Sequence, residues 1–137
     1  MIPAPSIAVT LSTAHAGARP VAVTLRLRYE MQCGWPGPGS LVVRFPPGMR
    51  LPAGLPAGAV LVNGKGATAA GPSCASHEIT VGLPKRPQIM CDSIGPGTLT
   101  VAFTHAARLG NPKAAGSYVL RATHGADRFA GRLAITR

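Results

Sequence analysis

The sequence predicts an all-β fold, two stacked sheets forming a sandwich, and three observations carry that prediction. Apolar and polar residues alternate with a period of two in several short runs, the pattern of a strand with one wet face. Proline or glycine interrupts nearly every stretch long enough for three helical turns, and each costs about 1 to 3 kcal/mol inside a helix. Turn clusters such as Pro46-Pro47-Gly48, Asn63-Gly64 and Gly110-Asn111-Pro112 separate the runs.

The elements follow in order. Ile7 to Leu11 is a short alternating segment. The clearest strand is Val21-Ala22-Val23-Thr24-Leu25-Arg26-Leu27-Arg28-Tyr29, whose odd positions are apolar and whose even positions turn into Thr and Arg. Leu41 to Phe45, Leu99 to Phe103 and Tyr118 to Thr123 repeat the pattern. Val60 to Val62, Ile79 to Leu83 and Leu133 to Thr136 are shorter candidates. Phe103 to Leu109 is free of helix breakers but too short to stand as a helix. Short strands spaced by turn clusters read as a sandwich.

Composition sets the limits. The 137 residues are room for one domain spanning 1–137. Apolar residues at 46% can fill a modest core, which separates this chain from disordered sequences of similar charge. Seventeen Gly and fourteen Pro follow no Gly-X-Y period, so collagen is excluded. Fourteen Lys and Arg against four acids leave a net charge of +10. Those acids, Glu30, Glu78, Asp92 and Asp127, are widely spaced, which argues against a paired-carboxylate glycosidase and against a calcium loop. The start, Met1-Ile2-Pro3-Ala4-Pro5, lacks the basic and apolar regions of a signal peptide, and no apolar run approaches a membrane span. The chain is then either cytosolic or a domain of a longer exported protein, and the motifs below favour the second.

Two segments share a local pattern. Cys33 to Phe45 and Cys91 to Phe103 both read Cys, three residues, Gly-Pro-Gly, Ser or Thr, Leu, any, Val, any, Phe. The repeat predicts two equivalent corners of the sandwich, each with a Cys just before a rigid turn that launches a strand.

Motif order carries a family resemblance. Val9-Thr10-Leu11-Ser12 is followed by Ala16-Gly17-Ala18, Phe45-Pro46-Pro47-Gly48, Leu51-Pro52 and Val60-Leu61-Val62-Asn63-Gly64. The closing motif is Asn111-Pro112-Lys113-Ala114-Ala115-Gly116-Ser117-Tyr118-Val119-Leu120-Arg121-Ala122-Thr123. This order resembles the immunoglobulin-like β-sandwich modules of bacterial S-layer and other cell-surface proteins. The resemblance implies an immunoglobulin-like sandwich of seven to nine mostly antiparallel strands. It also implies a non-catalytic, extracellular structural or adhesive module, one that meets other copies or neighbouring domains of a surface protein. The cysteines, the Trp35 loop and the basic charge depart from that pattern. Within the closing motif, Asn111-Pro112 fixes a turn, Gly116 supplies a positive φ, and Tyr118 and Leu120 point inward.

Candidate chemistry is sparse. Three cysteines suit one disulfide and one thiol in an oxidising setting. With strands alternating in direction, Cys33–Cys91 is the favoured pair, which leaves Cys74 as the free thiol; Cys74–Cys91 is the rival pair, and no disulfide at all is the third alternative. Cys74-Ala-Ser-His77 with Cys33 and Cys91 would make a zinc set, but structural zinc sites use two tight pairs and only one is present, so no metal is expected. His15, His77, His105 and His124 have no partner motif, and Ser40, Ser73 and Ser76 sit in turn-like stretches. Val62-Asn63-Gly64-Lys65-Gly66 lacks the ends of a phosphate loop and reads as a hairpin turn. No catalytic residue and no cofactor is expected.

The charge is the unusual feature. Arg26, Arg28 and Arg44 share the wet parity of their strands, Arg121 extends the set, and Trp35 stands in a Gly-Pro loop. As the alternative to the structural-module reading, they predict a basic binding face for anionic wall polymers or acidic polysaccharide, with Trp35 stacking on sugar; the competing reading is charge spread for solubility, as Lys85, Arg86, Arg108, Arg132 and Arg137 are scattered. Too few free aromatics remain for sequence-specific nucleic-acid reading.

Overall fold

The computed structural model describes residues 7–32, 39–52, 54–56, 58–73, 77–83, 94–125 and 127–137. Ten strands run through them: β1 (Ile7–Leu11), β2 (Val23–Gln32), β3 (Ser40–Arg44), β4 (Val60–Val62), β5 (Lys65–Gly66), β6 (Ala69–Ser73), β7 (Glu78–Gly82), β8 (Ile94–Phe103), β9 (Gly116–His124) and β10 (Asp127–Ile135). They form two five-stranded sheets, ordered β1-β2-β8-β4-β5 and β10-β9-β3-β7-β6, and every strand pairing is antiparallel. The predicted two-sheet sandwich is what the chain adopts, with no α-helix among the described residues.

Alternation builds the core. On β2, Val23, Leu25 and Leu27 are wholly buried, while Arg26 and Arg28 between and beyond them are exposed. Leu99, Val101 and Phe103 of β8 share that inner face. Leu41 and Val43 of β3, Ile79 and Val81 of β7, and Leu120 of β9 face them from the other sheet. Each such side chain contributes about 1.5 to 3 kcal/mol when fully buried. β2 and β8 pair over ten residues, from Val23↔Phe103 to Gln32↔Ile94. Phe45 and Phe103, equivalent positions of the local repeat, meet edge to face with ring centroids 5.2 Å apart.

Several boundaries differ from expectation. The strand total exceeds nine because the two-residue β5 and the edge strand β6 both pair. Ser40 and Ser73 therefore lie in strands, not turns. β6 reads Ala-Ala-Gly-Pro-Ser, with no alternation to see; its ladder is irregular between Ala70 and Ser73, and it pairs on one side only, where a proline is tolerated. β8 begins at Ile94, so Gly95-Pro96-Gly97 continues the strand opposite Tyr29, Glu30 and Met31 instead of turning. β4 reaches only Val101 to Phe103 of β8, so Pro96 lies where β8 has one neighbour and needs no second donor. Phe103 to Leu109 contains a single 3-10 turn at His105–Ala107.

Three local devices close the sandwich. Asn63 (φ 50) and Gly64 (φ 82) form the tight hairpin between β4 and β5, and Asn63 Oδ1 accepts from the Thr100 amide at 2.9 Å. At one end Asn111 is fully buried and its Nδ2 donates to the carbonyls of Thr13 and His15 at 2.9 and 2.8 Å. Tyr118 donates its hydroxyl to Ala114 O at 2.7 Å, bracing the turn that enters β9, and Gly116 takes the expected positive φ of 155. Along one side β10 lies against β1 so closely that a Cβ at Gly131 would sit 2.5 Å from Ile7 O and 2.9 Å from Ile7 Cβ.

That close approach has a measurable consequence. Gly131→Ala is expected to destabilise the fold by about 1 to 3 kcal/mol through overpacking. Gly54→Ala, where a Cβ would meet nothing within 4 Å, should change stability by less than about 0.5 kcal/mol. Paired denaturant titrations check both.

Candidate functional site

The register of β10, β9, β3 and β7 fixes which residues share the outer face of their sheet. Inward positions are taken by Phe129, Leu133 and Ile135 on β10, Leu120 and Ala122 on β9, and Leu41 and Val43 on β3. The residues between them face solvent. Arg44 lies directly opposite Arg121 on one side and opposite Glu78 on the other. Arg128 stands opposite Thr123 and Arg132 opposite Val119, and because Ala130 pairs with Arg121, the two flank Arg121 on the diagonals. All four arginines are exposed. Arg44, Arg121, Arg128 and Glu78 rim a shallow depression of about 370 Å³ whose floor includes Val42 and Ala130.

This arrangement is electrostatically unfavourable by itself. Like charges directly opposite on neighbouring strands repel, and here four guanidiniums meet one carboxylate. Among the described residues, none of the four guanidiniums donates a hydrogen bond or joins an ion pair. What such a face can do is hold oxyanions, because the planar guanidinium fork matches carboxylate and phosphate oxygens two at a time.

The predicted single face of Arg26, Arg28 and Arg44 does not form. Arg26 and Arg28 are exposed on β2, which belongs to the other sheet, so they and Arg44 lie on opposite outer faces of the sandwich. Shared parity along separate strands could not reveal this, since parity says which way a residue points from its own sheet but not which sheet it is in. Arg26 Nη1 instead donates to Thr10 Oγ1 on β1 at 3.1 Å, on a face that also carries Thr24, Thr98 and Thr100. Arg121 does join Arg44, as expected. Arg132, expected to be scattered charge, instead joins Arg128 in the cluster; Gly131 interrupts the apolar alternation of Phe129, Leu133 and Ile135 and so hides the strand that carries both, and the Gly125 hairpin turn after β9 is the available signal.

Trp35, Cys33, Cys74 and Cys91 lie outside the described residues. The strands around two of the cysteines are neighbours, since Gln32 pairs with Ile94. Ser73, which precedes Cys74, pairs with Glu78 at the Arg44 end of the β3–β7 pairing. The four histidines sit apart: His15 bridges to Thr136, His77 precedes β7, His105 opens the 3-10 turn and His124 ends β9. Among the described residues no three His, Cys, Asp or Glu side chains converge as a metal site, and no helix is long and apolar enough to cross a membrane.

No family model matches the chain, and no curated protein matches it either. A solved structure does. The crystal structure of BslA, described as a bacterial hydrophobin, superposes with a TM-score of 0.59 at 16% identity, covering 97% of this chain and 98% of that one. The likeness is one of fold, and it extends over the whole sandwich.

Repulsion at the Arg44–Arg121 pair predicts that Arg121→Thr raises the melting temperature by about 2 °C at about 10 mM salt, with the gain fading by about 0.5 M as screening shortens. Arg26→Thr, which loses the hydrogen bond to Thr10, should give no such rise. Thermal melts across a salt series distinguish the two.

Proposed function

We propose that this chain is a non-catalytic structural module of a bacterial surface protein, surface layer or extracellular filament, acting through contacts made by its faces and loops. The observation that carries this reading is the end-to-end likeness of fold to a bacterial hydrophobin, which covers 97% of this chain and 98% of that one. The resemblance of the motif order to surface-layer modules supports the same class of role. A Cys33–Cys91 bridge suits that setting, given the Gln32↔Ile94 pairing beside it.

The strand edges support contact through faces and loops over strand addition. β1 and β10, the edges on one side, lie against each other, with His15 bridging to Thr136. On the other side β5 has two residues and β6 carries Pro72 in an irregular ladder, features that blunt an edge. The described surface is also not amphiphilic: Val119, at 37% exposure, is its only exposed large hydrophobic residue. Contacts between copies would then be polar, and a net charge of +10 would oppose them at low salt.

Light scattering on the non-reduced chain after size exclusion tests this. The expected result is a mass well above the 14.0 kDa monomer, held or increased as salt rises from about 0.02 to 0.5 M. A 14.0 kDa monomer throughout would overturn self-assembly as the mode of action.

A further inference from the structure

We propose that the outer face of β3, β9 and β10 is a binding site for a linear acidic polysaccharide, with sugar carboxylates seated on Arg44, Arg121 and Arg128. This goes beyond the building-block reading and stands without it.

Geometry supplies the first argument. Arg128, Arg121 and Arg44 lie on three successive strands of one sheet, around one depression. Arg44 and Arg121 stand directly opposite on adjacent strands, about 5 Å apart and close to the length of one sugar in an extended chain, while Arg128 lies on the diagonal, about 7 to 8 Å from Arg121. Arg132, on the second diagonal from Arg121, widens the basic area. Glu78 ends the row on β7, opposite Arg44, and would repel an anionic chain that continued past it.

Charge supplies the second. The guanidiniums make no hydrogen bond or ion pair among the described residues, and Arg44 faces Arg121 directly. A bound polyanion removes that repulsion and fills the empty donors with charge-assisted hydrogen bonds. A second copy of the chain is a poor occupant, because its fourteen basic residues are met by only four acids.

The neighbouring surface separates a polysaccharide from a nucleic acid. Val42, Thr123 and Ala130 lie between the arginines, and the outward residues of these three strands include no aromatic. Single-stranded nucleic acid gains much of its affinity from bases stacked on aromatic rings, and among the described residues the one aromatic lining the depression, Phe129, is buried in the core. Small and β-branched residues leave a low floor on which a saccharide ring can lie.

The experiment compares two double variants that remove equal charge from opposite faces. Arg121→Gln/Arg128→Gln alters the proposed site, and Arg26→Gln/Arg28→Gln alters the other sheet. The immobilised chain is titrated at about 0.15 M salt with alginate, polyglutamate and poly-dT, while melting curves report folding. Alginate should bind the unaltered chain most tightly. The site variant should lose about tenfold in affinity and the opposite-face variant less than about threefold. Arg44→Gln/Arg128→Gln gives the same reading if the first pair fails to melt cooperatively. Equal losses from both faces, no alginate binding by the unaltered chain, or tighter binding of polyglutamate or poly-dT would each overturn the proposal. None of these outcomes depends on whether the chain self-assembles.

Discussion

The ten-residue ladder between β2 and β8 is the constraint on which the rest of the molecule depends. Its register puts Val23, Leu25 and Leu27 beside Phe103, Val101 and Leu99 on one face, all wholly buried. A slip of one residue would send that whole set to solvent and bring Thr24, Arg26 and Arg28 inside. With the inner face of this sheet fixed, the second sheet has one apolar surface to pack against, and its own alternation follows. Phe45 against Phe103 and the close passage of β10 over Ile7 are where the two layers are keyed together.

What is left for function is the outside. With most large apolar side chains committed to the interior, the two outer faces are the chemically distinct parts of the described molecule. One is threonine-rich, with Arg26 tied to Thr10; the other concentrates Arg44, Arg121, Arg128 and Arg132 around a shallow depression. An open face of exposed guanidiniums suits an extended anionic ligand, which can meet several of them at once. The blunted edges point the same way, leaving the broad faces and loops as the surfaces available for contact.

Much of this was legible in the sequence. All eight expected strand cores fall in paired segments, because alternation and turn residues are local signals that packing reinforced. The elements that escaped notice have particular reasons. β6 is Ala-Ala-Gly-Pro-Ser and is held by pairing with β7 alone, while the first half of β10 hides its period behind Gly131, a glycine demanded by Ile7 across the sheet gap. Gly95-Pro96-Gly97 looks like a turn until β2 is seen to pair beside it. The basic face was half legible: Arg44 and Arg121 share it, but assigning Arg26 and Arg28 to the same surface required sheet order, which lies in long-range pairing and not in any local run. The arginines that complete the cluster, Arg128 and Arg132, were hidden with the strand that carries them.

Seating of an acidic polysaccharide on the Arg44–Arg121–Arg128 face, and not on the opposite one, is open to a residue-by-residue test. Amide chemical shifts of the isotopically labelled chain, followed during titration with a short oligouronate, test it most directly. Saturable shifts are expected to concentrate at Arg44, Arg121, Thr123, Arg128 and Arg132, with the amides of Thr24, Arg26, Arg28, Thr98 and Thr100 unmoved. Shifts of equal size on both faces, or centred on the β2–β8 face, would contradict it.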